Sequence, residues 1–259
     1  SSDSPFGRGK VKIMSKEYLS KKDIPPHERL IFALDVPDYQ SAIGLVNELG
    51  DNVHFYKLGL ELFVAEGYHR LVKELKERTK RVFVDMKFFD VPRTVGAAVK
   101  EMGGLNVDFL TVHGNENILQ EAVKYKNGSL KILAVTVLTS LDSKDVADMF
   151  PDIVGEIGDD IIEKLVLSRA KRALKAGCDG VISSGLEATA LREEYGESLI
   201  IVTPGIRPFE NVEDDQKRTM DIEGAFRNGA DYIVVGRPIK NHPSPREAAA
   251  GIQERIRKL

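Results

Sequence analysis

Opposite charges alternate through one stretch of this sequence, Val82-Phe83-Val84-Asp85-Met86-Lys87-Phe88-Phe89-Asp90-Val91-Pro92-Arg93-Thr94. Its apolar start predicts a strand, and because strand side chains alternate between faces, Asp85 and Lys87 share one. Two charges in so dry a setting each cost several kcal/mol to desolvate unless they pair. Taken alone, the two fit a structural ion pair as well as a catalytic one. Asp35, in Ala33-Leu34-Asp35-Val36-Pro37, and Lys57, in Phe55-Tyr56-Lys57-Leu58-Gly59, follow two further apolar runs. With Asp90 they complete an Asp, Lys, Asp, Lys, Asp series on neighbouring strands, more than a salt bridge needs. In a low-dielectric mouth such a series keeps its ammonium groups charged and sets up a field before any substrate arrives.

A second constellation suits an anion. Two later runs end in Thr203-Pro204-Gly205-Ile206-Arg207-Pro208 and Val235-Gly236-Arg237-Pro238. Glycine lets backbone N–H groups approach an anion closely, and arginine offers a planar fork for two phosphate oxygens. Either run alone fits a turn with a solvated arginine; together they point to phosphate. By contrast, Gly7-Arg8-Gly9-Lys10 follows no strand and has Val11 where a phosphate loop needs Ser or Thr. His113 reads first as a hydrogen-bonded wall residue, and the five histidines lack the paired spacing of a zinc site. Asp142, Asp145 and Asp148 fit a solvated helix face better than a calcium site. No residue is assigned to a metal.

These residues need elements to position them. From Leu30 onward the chain repeats a short apolar run, a polar turn and a longer stretch with helical spacing. Strands are expected at Leu30 to Asp35, His54 to Leu58, Val82 to Lys87, Phe109 to His113, Ile132 to Leu138, Gly180 to Ser183, Leu199 to Thr203 and Tyr232 to Gly236. Runs apolar throughout are buried on both faces, as in parallel sheets. Helices are expected over Glu61 to Thr79, Asp159 to Ala176 and Ser244 to Leu259. Polar residues gather at the carboxyl end of nearly every strand, which favours a single closed (β/α)8 TIM barrel with its active site at that mouth over an open sheet. The long connections Thr139 to Gly158 and Pro208 to Arg218 are candidate lids.

The 259 residues suit one such barrel, with 30–259 as the catalytic domain and 1–29 as an N-terminal extension, of which 1–13 read as an expression remnant. The extension has seven basic and four acidic side chains, +3, within a chain of net charge -3, so the remainder is -6, the wrong sign for nucleic acid. No run reaches the roughly 18 apolar residues of a membrane span. The single cysteine, Cys178, cannot form an internal disulfide and reads as a small buried side chain in a reducing, cytoplasmic compartment.

The pattern Asp85-x-Lys87-x-x-Asp90-Val91-Pro92-x-Thr94, supported in order by Asp35, Lys57, Thr139, Arg207, Gln216 and Gly236-Arg237, resembles the orotidine 5'-monophosphate decarboxylase family of the bacterial type over essentially Leu30 to Leu259. The resemblance implies a homodimeric barrel that converts orotidylate to UMP and CO2, the last step of pyrimidine nucleotide synthesis, without metal or organic cofactor. It implies Lys87 as proton donor to C6, Asp85 beside the departing carboxylate, Lys57 holding the array and the ribose, and Asp35 on a ribose hydroxyl. It also implies Asp90 and Thr94 serving the partner's site, Thr139 or its neighbour Ser140 on the pyrimidine edge, Gln216 bridging base and phosphate, and Arg207, Gly236 and Arg237 on the phosphate. The rival sister enzymes, keto-gulonate-phosphate decarboxylase and hexulose-phosphate synthase, share the Asp-x-Lys-x-x-Asp motif but bind magnesium and place Glu where this chain has Lys57. A catalytically silent nucleotide-binding barrel is the rival of another class.

Overall fold

The computed structural model describes residues 17–149, 160–208 and 218–259. All eight expected strands form, and they pair in parallel in sequence order into a closed barrel. β1 (Leu30–Ala33), α1 (Tyr39–Leu49), β2 (Phe55–Leu58), α2 (Leu60–Phe63), α3 (Tyr68–Glu77) and β3 (Arg81–Phe88) make the first part. α4 (Pro92–Gly104), β4 (Phe109–Val112), α5 (Glu116–Tyr125), β5 (Lys131–Val135), α6 (Ser143–Asp148) and α7 (Ile161–Ala176) follow. β6 (Gly180–Ile182), α8 (Ala188–Tyr195), β7 (Ile200–Thr203), α9 (Ile222–Arg227), β8 (Tyr232–Val235), α10 (Arg237–Lys240) and α11 (Pro245–Arg257) complete the circuit, and β8 pairs with β1.

Two apolar layers hold the barrel. Strand side chains facing outward meet the helices, with Phe32, Tyr56, Val84, Leu110 and Ile233 fully buried between them. The inward set is Ile31, Ala33, Phe55, Phe83, Phe109, Leu133, Val202, Tyr232 and Val234. Four of its rings interlock edge to face, with Phe109 centred 4.9 Å from Phe55, 5.9 Å from Phe83 and 5.1 Å from Tyr232. Aromatic edges and faces carry opposite partial charge, so this packing fills the interior between two polar ends, the mouth and the floor.

The opposite end, the floor, is built by a repeated device. Asp108, Asp179 and Asp231 immediately precede β4, β6 and β8, and their Oδ2 atoms accept from the N–H groups of Val82, Ile132 and Ile201 at 2.8, 2.9 and 2.8 Å. Each donor is the second residue of the preceding odd-numbered strand. Each carboxylate also meets cations: Lys76 and Arg81, Lys126 and Lys131, Lys22 and Arg192. His54 occupies the corresponding place before β2. Residues 17–29 cross this floor; Ser20 hydrogen-bonds Asp231, Lys22 donates to the Leu199 carbonyl at 3.0 Å, and Ile24 packs on the inward cluster.

The helix expected over Glu61 to Thr79 is two helices, with Gly67 between them at φ 92°. The ends of the other two agree within two residues. Cys178 is buried, and burial followed by the charge of Asp179 pushes its thiol up to about 12. Asp142 and Asp145 form a capping box that starts α6, the physical use of two of the three spaced aspartates.

Candidate active site

β3 does not run straight into the mouth. Its pairing with β4 shifts register between Val84 and Phe88, and Lys87 within that shift has φ 48°, the left-handed region that side chains other than glycine avoid. The Lys87 N–H leaves the ladder and donates to the Thr111 hydroxyl at 2.9 Å. That hydroxyl donates in turn to Asp85 Oδ1 at 2.9 Å, and Lys87 Nζ meets the same oxygen at 3.0 Å. Lys57 Nζ, from β2, lies 3.5 Å from Asp85 Oδ2 and 3.4 Å from Asp35 Oδ1, just past β1. Four charges therefore form one continuous chain, Asp35 to Lys57 to Asp85 to Lys87.

Their surroundings decide their protonation. Burial alone would push the Lys57 ammonium down, but Asp85 and Asp35 outweigh it and hold the group above the ordinary lysine value. Burial likewise opposes ionisation of Asp85; Lys57 and Lys87, with hydrogen bonds from Lys87 and Thr111, hold its carboxyl below the ordinary range. Lys57 and Asp85, at the centre of the chain, are thus kept charged by their neighbours, the arrangement of a preorganised field.

The array lines one wall of a cavity of about 380 Å³ at the mouth. A second wall comprises Pro204, Gly205 and Arg207 after β7 and Gly236, Arg237 and Lys240 after β8. A side chain at Gly236 would press on the Ala33 Cβ at 3.2 Å, so glycine there keeps the backbone open toward the cavity. Val137, Leu138, the buried Thr139 and Ser140 form a third edge beyond β5. Lys240 was not singled out by sequence reasoning; it donates to the Asp35 carbonyl at 2.7 Å and ties the β8 side to β1. Thr111 was missed too, since a neutral residue inside an apolar strand gives no signal of what its hydroxyl organises.

Of the residues singled out in the sequence, Asp35, Lys57, Asp85, Lys87, Thr139, Arg207, Gly236 and Arg237 line the one cavity. Asp90 and Thr94 do not. Both are exposed at the start of α4, where Asp90 Oδ1 accepts from the Val91 N–H at 2.6 Å, between the exposed Phe89 and Val91. The five-charge series is thus four within one chain. Gln216 lies outside the described residues. His113 sits beyond this wall, its ring centre 5.2 Å from that of Phe89, with its pKa lowered by burial, then by Arg169 and Lys87.

A parallel (β/α)8 barrel with charged groups and an arginine-bearing wall converging on one cavity at the carboxyl ends of its strands defines a barrel enzyme. Residues 28–252 match the model of the orotidine 5'-phosphate decarboxylase / HUMPS family, and the chain belongs to that family. An orotidine 5'-phosphate decarboxylase of Methylococcus capsulatus is 57% identical over 241 residues, 93% of this chain and 96% of that protein. One of Stenotrophomonas maltophilia is 46% identical over 94% of this chain and 97% of that protein. The crystal structure of orotidine 5'-phosphate decarboxylase from Lactobacillus acidophilus superposes with a TM-score of 0.75 at 31% identity, covering 88% of this chain and 99% of that one.

Proposed function

We propose that this chain decarboxylates orotidine 5'-monophosphate to UMP and CO2, the last step of UMP biosynthesis. The observation that carries the reading is the continuous Asp35–Lys57–Asp85–Lys87 chain on one wall of the cavity. Loss of CO2 breaks the bond from C6 to the carboxylate carbon and leaves its electron pair on C6, in an orbital the ring does not readily delocalise. A fixed cation able to deliver a proton is the useful group, and Lys87 is in that position; its proton goes to C6, and the neutral amine recovers one from water. Asp85 keeps the lysine oriented and lies against the departing carboxylate. Proton and field both come from the chain's own side chains, so the step is proposed without metal or organic cofactor.

The remaining roles follow the walls. Asp35 and Lys57 take the ribose, Thr139 or Ser140 the pyrimidine edge, Arg207, Gly236 and Arg237 the phosphate, and Gln216 bridges base and phosphate. Remote phosphate binding supplies energy that positions the reacting ring. Asp90 and Thr94, exposed beside Phe89 and Val91, are assigned to the site of a second copy in a homodimer. The catalytic barrel is taken as 30–259, and the cytoplasmic location rests on the single cysteine. Lys57 argues against the magnesium-dependent sister enzymes, because an ammonium in this cavity repels a divalent cation.

Orotidylate added to EDTA-treated protein should lose its ultraviolet absorbance as UMP, identified by chromatography, appears. Lys87→Ala should abolish that turnover while leaving a folded protein. Near-normal activity in the variant sinks the assignment of Lys87, and no turnover by the wild-type protein sinks the reaction itself.

A further inference from the structure

β5 ends at Val135, so the carbonyl groups of the residues leading to Thr139 and Ser140 pass beyond the strand ladder and need other donors. One side chain supplies two of them. Arg218 Nη2 donates to the Val137 carbonyl at 3.1 Å and to the Leu138 carbonyl at 2.9 Å. Its Nη1 donates to Glu187 Oε1 at 2.7 Å, and the other Glu187 oxygen accepts from the Ser184 hydroxyl. Arg218 and Glu187 are both buried, at 8% and 6% exposure.

The same arginine stands at the root of the seventh connection. Two residues on, Met220 donates its N–H to the Gly205 carbonyl at 3.2 Å and accepts from the Arg207 N–H at 2.8 Å. One end of the Arg207-bearing wall and the edge that holds Thr139 and Ser140 therefore share a short path through Arg218. A buried ion pair is weak evidence for stability, since apolar residues of similar volume often do as well. What apolar residues cannot do is hold two carbonyls and a carboxylate at fixed angles, which a planar guanidinium with several donors does.

We propose that Arg218, oriented by Glu187, is a positioning residue that sets the Thr139–Ser140 edge of the cavity and thereby recognition of the pyrimidine. This rests on the functional reading above, in which that edge meets the base. It assigns Arg218 no contact with substrate and no part in proton transfer. Lysine in its place keeps a cation for Glu187 but loses the fork, so the edge shifts while the phosphate wall, held by backbone bonds of Met220 rather than by the Arg218 side chain, and the charge array stay.

The test is calorimetric binding of two ligands, UMP and ribose 5-phosphate, which lacks the base, to wild-type and Arg218→Lys protein. UMP should bind about tenfold more weakly to the variant, the size expected for losing hydrogen bonds from a charged donor, and ribose 5-phosphate should bind within about twofold of wild type. A merely structural role moves both ligands together or neither, and either result overturns the proposal. Should Arg218→Lys fail to fold, Glu187→Gln, which keeps the acceptor but removes the charge, should show the same selective loss, and unchanged UMP binding there overturns it equally. Wild-type turnover of orotidylate is measured alongside: its absence overturns the functional reading and this inference with it, whereas normal turnover with no selective loss overturns this inference alone.

Discussion

Lys87 combines a backbone conformation that favours glycine with a long cationic side chain. A non-glycine residue in the left-handed region costs about 1–2 kcal/mol, and here it accompanies a break in strand register that frees one N–H for the Thr111 hydroxyl. Thr111 thereby holds the lysine by its backbone and Asp85 by its carboxylate, at 2.9 Å each. Thr111→Val keeps the volume and removes both bonds. It should lower stability by about 1–3 kcal/mol in urea unfolding, the cost of a buried donor left unmade. It should also lower kcat by about tenfold or more, each 1.4 kcal/mol of misplaced transition-state interaction being a factor of ten. Wild-type stability and kcat in that variant would show that the hydroxyl supports nothing.

At the scale of elements, the departure from expectation between Glu61 and Thr79 has a measurable sign. Were the segment one helix, Gly67→Ala would stabilise it by about 1 kcal/mol. Since Gly67 has φ 92° and a Cβ there would meet Tyr39 Cβ at 3.2 Å, Gly67→Ala should instead destabilise the protein by about 1 kcal/mol or more in the same unfolding measurement. Apolar spacing on α3 was readable, with Tyr68, Leu71, Val72 and Leu75 buried as one face, but one left-handed glycine is invisible to periodicity. The eight strands were legible for the opposite reason, each being a run buried on both faces. Asp35, Lys57, Asp85 and Lys87 were legible because charges following such runs are costly and so conspicuous. Asp108, Asp179 and Asp231 were not: each reads locally as a turn residue, and its partner N–H lies 26, 47 or 30 residues away. Arg218 and Lys240 were hidden likewise, since their partners are backbone carbonyls just past strands distant in sequence.

On the scale of the molecule, one chain leaves Asp90 facing solvent beside Phe89, which is 68% exposed, and Val91, which is 63% exposed. If these residues serve a second copy, Lys87→Ala and Asp90→Ala proteins are each defective but complementary. Mixed under conditions that exchange subunits, they should regain activity, because a hybrid pair contains one site with both residues intact. No recovery, with exchange demonstrated by differently tagged subunits, would remove Asp90 from the partner's site.

The ring closes where β8 meets β1, and on the floor before β8 Ser20 reaches Asp231, 211 residues away in sequence. Joining segments so far apart is the event with the largest loop-closure cost, and topologies rich in such contacts fold slowly. The cavity straddles the same seam: Asp35 stands on the β1 side, Gly236 and Arg237 on the β8 side, and the Lys240 bond to the Asp35 carbonyl crosses it. Helices and much of the sheet can form before the two walls of the cavity are brought together. In refolding from denaturant, activity should therefore lag recovery of the far-ultraviolet signal, and the two returning together would show that this seam is not the late step.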